Sequence, residues 1–92
     1  MPRHRIRRCL RFRPHTLYFK PQGVPLRHLD EVVLERDELE TLKLKDYDNL
    51  LQEEAAKKMG VSQPTFQRIL SSARQKVTSA IIEGKAVKIT GA

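Results

Sequence analysis

Three side chains in one short stretch have the geometry to read a flat, polar edge: Gln63, Gln67 and Arg68. A guanidinium forks onto the two acceptors of guanine, and a carboxamide pairs its donor and acceptor with adenine. Arg68 therefore suits the first task, and Gln63 or Gln67 the second. Around them Ser62, Thr65 and Ser71 offer hydroxyls, and Arg74 a second guanidinium, of the kind that hold phosphate oxygens. The chemistry in view is recognition of bases and phosphates on double-stranded DNA.

The placement of these groups depends on QEEAAKKMGVSQPTFQRILS, which reads as two helices broken once, at Gly60. Leu51, Ala55 and Met59 recur every fourth residue and stack on one face. Gly60 lacks a Cβ and so supplies the positive φ of a sharp helix end, with Val61 as an apolar plug in the turn. Ser62 is a fitting N-cap, and Pro64 falls in the first turn of the next helix, where a missing N–H costs nothing. Phe66, Ile69 and Leu70 resume the stripe, while small Ala55 and Ala56 let the second helix come close. Two short helices joined by a glycine-containing turn make a helix-turn-helix, here over residues 51–71, whose second helix enters the major groove. An ordinary helical hairpin in a small bundle uses the same glycine and cap and is the plain alternative.

The second helix should run from Gln63 to about Ile82, roughly 30 Å. Its inward stripe is Phe66, Ile69, Leu70, Ala73, Val77, Ala80 and Ile81, with Gln67, Arg68, Ser71, Gln75 and Thr78 opposite. Beyond Ala73 the stripe requires cover from the N-terminal segment or from a second copy of the chain. Upstream, a helix over about 36–46 carries Asp37 and Glu38 in its first turn, where the macrodipole favours anions, and turns Leu39 and Leu42 inward. Residues 26–34 read as an apolar entry into that helix, and Asp48 and Asn49 as turn residues after it. His15 to Pro25 reads as a loop that lays Leu17, Tyr18 and Phe19 against the helices. Ahead of it, Arg3, Arg5, Arg7 and Arg8 belong to a basic arm suited to phosphates, with minor-groove entry as the alternative. Alternation makes a strand near residues 6–12, and AVKIT (86–90) a second strand whose natural partner is the arm around Leu10 to Phe12.

The whole is expected to be one mainly α domain over residues 1–92, a helix-turn-helix bundle of three to four helices with a long last helix and short terminal strands that can pair. Its parts are the arm and loop (1–25), the helical core (26–84) and a C-terminal strand or tail (85–92). Net charge is +7, which suits a polyanionic partner. Residues 1–28 hold eight Arg or Lys and no acid, residues 29–54 three bases and ten acids, and residues 55–92 seven bases and one acid. Such a polarised surface draws DNA to its two ends and repels it from the middle. The carboxylates are scattered along helices and read as solvated faces, not as an acid/base pair. No run of about eighteen apolar residues predicts a membrane span, and the basic N-terminus lacks the apolar stretch of a secretory signal. The single Cys9 excludes an internal disulfide framework and fits a reducing cytoplasm. His4, Cys9 and His15 are too loosely spaced to make a metal site.

FKPQGVPL, VVLERDELETLKLKD, QEEAAKKMGVSQPTFQRIL, SARQKV and GKAVKITG together resemble a family of small prokaryotic proteins catalogued as domain of unknown function 134. That family is similar in its helix-turn-helix to region four of bacterial sigma factors and is presumed to bind DNA. The resemblance implies that Ser62, Thr65, Phe66 and Arg68 occupy the turn and recognition helix. Gln63, where many members carry arginine, and Pro64 depart from the commoner pattern. The leading expectation is a sequence-specific, non-catalytic, cofactor-free DNA binder that regulates transcription, as a monomer or homodimer. Docking on the transcription machinery through the acidic middle is the second reading. RNA binding through the arginine-rich arm is the third.

Overall fold

The last strand of the chain lies at the centre of its sheet. In the computed structural model, which describes residues 17–90, strand β3 (Ala86–Ile89) pairs antiparallel with β1 (Leu17–Phe19), Leu17 facing Ile89. On its other side it pairs in parallel with β2 (Glu31–Leu34), Leu34 again level with Ile89. Between β2 and β3 the chain builds helices α1 (Arg36–Thr41), α2 (Gln52–Met59) and α3 (Gln63–Glu83). The protein is thus mainly helical, with one small sheet.

α1 starts where Glu38 reaches back to accept the Glu35 backbone N–H at 2.9 Å, satisfying a donor that the first turn leaves unpaired. It then widens into a π-helix over Leu42–Tyr47, closed by Asp48 N–H to Lys43 C=O at 2.7 Å. Asn49 turns the chain with φ 59°, a left-handed conformation that asparagine tolerates. The expected helix over 36–46 is therefore present, in two windings.

α3 is the spine. Its first half brings Phe66 and Leu70 into a cluster with Leu44, Ala55 and Ala56, edged by Leu50, Met59 and Val61. Its second half sets Ala73 and Val77 against Leu34 and Ile89 of the sheet. The stripe beyond Ala73 is therefore covered by the sheet, to which the N-terminal segment contributes Leu17 and Leu34 and β3 contributes Ile89.

Other expectations change. Residues 26–34 are a 3₁₀ turn (Leu26–His28) followed by β2, because Val32 and Leu34 alternate inward as a strand requires, and no helix begins until Arg36. Tyr18 and Phe19 lie in β1 and are exposed, 40% and 62%, instead of joining the core. Leu51 is the extended residue ahead of α2, so the helical period does not apply to it, and Ile81 lies off the buried stripe; both are exposed. The strand expected at 6–12 lies outside the described residues, and its proposed pairing meets a β3 already bonded along both edges by β1 and β2.

Candidate nucleic-acid interface

α2 and α3 meet through side chains that barely exist. Ala55 and Ala56 are 0% and 2% exposed, and Phe66 fills the space beside them at 0%. Larger groups at 55 or 56 would hold the two backbones apart. The turn between them is fixed by backbone bonds. Gly60 takes φ 73° and donates to Lys57 C=O, and Val61 N–H reaches Ala56 C=O, each at 3.1 Å. This pair of bonds is the Schellman arrangement, with Val61 packed on the cluster that holds Ala56. Ser62 then caps α3, its Oγ accepting the Thr65 N–H at 3.3 Å, with Pro64 in the first turn. Gln52 Nε2 donates to Gln63 C=O at 3.5 Å and ties the starts of the two helices together.

With Phe66 and Leu70 inward, the opposite side of α3 faces solvent. Gln67, Arg68 and Ser71 are exposed toward it, Gln63 is exposed in the first turn at the edge of the buried stripe, and α3 carries no acid before Glu83. Gln67 Nε2 donates to Ser71 Oγ at 3.0 Å, which braces the carboxamide along the helix axis. Arg68 is exposed and meets no acceptor among the described residues. Ser62 and Thr65, expected at phosphates, share a hydrogen bond of 3.0 Å, Ser62 Oγ donating to Thr65 Oγ1. Ser62 is exposed and Thr65 half-buried. Arg74 is differently placed: its Nε and Nη2 donate to Asp46 Oδ2 and Oδ1 at 3.1 and 2.6 Å. Those hydrogen bonds, opposed by partial burial and helped by the Arg74 charge, hold the Asp46 carboxyl below its ordinary range. Arg3, Arg5, Arg7 and Arg8, together with His4, Cys9 and His15, lie outside the described residues.

Glu38, which the scatter of carboxylates along the sequence places on a solvated face, is only 7% exposed. Its Oε1 accepts Lys76 Nζ at 2.8 Å and the Glu35 N–H, and its Oε2 accepts Ser72 Oγ at 2.6 Å. Lys76 Nζ also donates to Val33 C=O at 2.7 Å, so one ammonium joins α3, α1 and β2. Burial by itself raises the Glu38 pKa, but the hydrogen bonds from Lys76, Ser72 and Glu35 outweigh it and leave the carboxyl below its ordinary value. The Glu35-x-x-Glu38 capping spacing was the available signal for Glu38; its long-range partners left none. Asp46 likewise gave no local sign that it would meet Arg74.

Among the described residues no helix is long and apolar enough to cross a membrane, and no group of three or more His, Cys, Asp or Glu gathers as metal ligands do. The fold and this face define a small, mainly helical protein with an exposed polar helix seated on a buried alanine–phenylalanine contact. The profile of the family described as "Protein of unknown function DUF134" matches residues 1–92, and the chain belongs to that family. It is 55% identical over 91 residues to a UPF0251 protein of Moorella thermoacetica, an alignment covering 99% of this chain and 61% of that protein. It is 52% identical over 91 residues to a UPF0251 protein of Thermoanaerobacter pseudethanolicus, covering 99% of this chain and 77% of the relative. A UPF0251 protein of Clostridium botulinum is 50% identical over 91 residues, 99% of this chain and 58% of its own length. The chain thus spans about three fifths of the first and third of these relatives. No solved structure matches it.

Proposed function

We propose that this chain binds double-stranded DNA in a sequence-dependent way, as a non-catalytic regulator of transcription in the cytoplasm. The observation that carries the reading is the exposed polar surface of α3, which contributes no acid of its own before Glu83, with Gln63, Gln67, Arg68 and Ser71 exposed while Phe66 is wholly buried. α2, the Gly60 turn and α3 then act as a helix-turn-helix. α3 lies in the major groove, with Arg68 on guanine and Gln63 or Gln67 on adenine. Ser62, Thr65 and Ser71 serve phosphates, as do the arginines of residues 1–16, whose charge supplies most of the net +7.

Selection of bound duplexes from a random pool tests this. A recovered motif containing guanine, lost on Arg68→Ala, supports the reading. Recovery of no motif, with binding still intact, reduces the function to non-specific contact. A palindrome with half-sites about one helical turn apart identifies a homodimer.

A second reading, docking on a protein of the transcription machinery, has its own observation. Tyr47 is 79% exposed beside a shallow hollow of about 370 Å³ formed with Leu39, Leu42, Lys43 and Asp46. Failure of micromolar protein to shift any duplex at low salt favours it.

A further inference from the structure

Arg74 stands on the same line of α3 as Gln63 and Gln67, four and seven residues apart in sequence, a spacing that aligns side chains on one helical face. It lies about 10 Å beyond Gln67 along the axis. There a helix seated in the major groove approaches the flanking phosphates. Its guanidinium is nevertheless engaged, gripping both oxygens of Asp46 with Nε and Nη2. A planar fork that fits a carboxylate fits a phosphate equally well. Arg68, exposed about a third of a turn away around the same helix, has no such partner among the described residues.

We propose that Asp46 masks Arg74, occupying the guanidinium edge that a DNA phosphate would take, so that Arg74 is a withheld backbone contact and Asp46 sets the affinity. The inference rests on the DNA-binding reading. A neutral Arg–Asp pair releases no counterion when DNA arrives, so the pair contributes nothing to the salt-dependent part of binding. The pair is also exchangeable. Its side chains are 47% and 41% exposed, and ion pairs open to water to that extent hold together weakly. Lys76 on the same helix contrasts with it, because its partner Glu38 is buried and bonded on both oxygens. Asp46 owes its position to the π-helical winding at Leu42–Tyr47, so the mask is a property of that turn.

The test is a double-substitution cycle of Asp46→Asn and Arg74→Ala on the full chain. The readouts are anisotropy titrations on a random-sequence duplex and elution from heparin, with thermal melts to establish folding and Asp46→Ser as a second variant. Asp46→Asn should tighten duplex binding about three- to tenfold near 0.1 M salt, steepen the log–log salt slope by about 0.9, and delay heparin elution. Arg74→Ala alone should leave affinity within about twofold, and in its background most of the Asp46→Asn gain should vanish. A large loss from Arg74→Ala with Asp46 in place, or a gain that persists without Arg74, overturns the proposal. If the wild-type chain binds no duplex at all, the DNA reading fails, while the cycle on heparin still decides whether Asp46 masks Arg74.

Discussion

Arg68 and Arg74 belong to one helix but stand in different electrical company, and that difference organises the predictions at the scale of single residues. Arg68 is exposed and meets no acceptor among the described residues. On a selected site Arg68→Ala should cost about 1–3 kcal/mol and relax preference at one base position. Equal weakening on every sequence would assign Arg68 to a phosphate. Glu38 makes a prediction about stability. Its folded-state pKa is lowered, so the stability it contributes is present above the ordinary glutamate value and is lost as pH falls through the folded value. Melting temperature should therefore drop with acidification below about pH 4.3, and Glu38→Gln should remove that part of the acid sensitivity. At neutral pH the same substitution should cost about 1.5–3 kcal/mol in urea unfolding, since the Lys76 and Ser72 bonds lose their charged acceptor. An acid profile identical in both proteins would show that Glu38 is not the titrating group. Neither Glu38 nor Asp46 was readable as a partner in sequence. Their mates, Lys76 and Arg74, are 38 and 28 residues away.

Among elements, the turn between α2 and α3 was the most legible, because everything that makes it is local. Gly60 has φ 73° and open space where a Cβ would go, so Gly60→Ala meets no clash and only the cost of a left-handed alanine. That cost should be about 1–2 kcal/mol by denaturant unfolding. A neutral result would mean the turn relaxes into another form. Phe66 is a different case. It touches the alanines that let the helices approach, and Phe66→Ala should cost about 3–5 kcal/mol and disturb the contact face as well as the core. The sheet was much less legible. Leu29, Val32, Val33 and Leu34 fit an apolar helix entry as well as a strand, and only pairing with β3, more than fifty residues on, decides between them. Likewise the apolar stripe of α3 showed that Ala73 and Val77 needed cover but not what supplied it. The period alone assigns Ile81 to that stripe, yet it is 74% exposed.

For the whole molecule, the position of β3 makes the fold depend on its last residues. Ala86 and Ile89 are 0% and 6% exposed, and β3 bonds both other strands. Deleting residues 85–92 should uncover Leu34 and Ala73 and abolish cooperative thermal unfolding, a change visible by circular dichroism. A sharp transition in the truncated chain would show that the helices stand without the sheet. Charge is divided as unevenly as structure: residues 1–16 hold six arginines and no acid, while residues 17–90 hold twelve bases and eleven acids. On this account affinity comes mostly from the arm and choice of sequence from α3, and only the second of these faces lies within the described residues. The most direct test of duplex binding is the dependence of association on salt, measured by anisotropy on a random-sequence duplex with the full chain. Engagement of six phosphates predicts that log K falls against log salt with a slope near about −5; a slope near zero, or no association at micromolar protein in low salt, would contradict it.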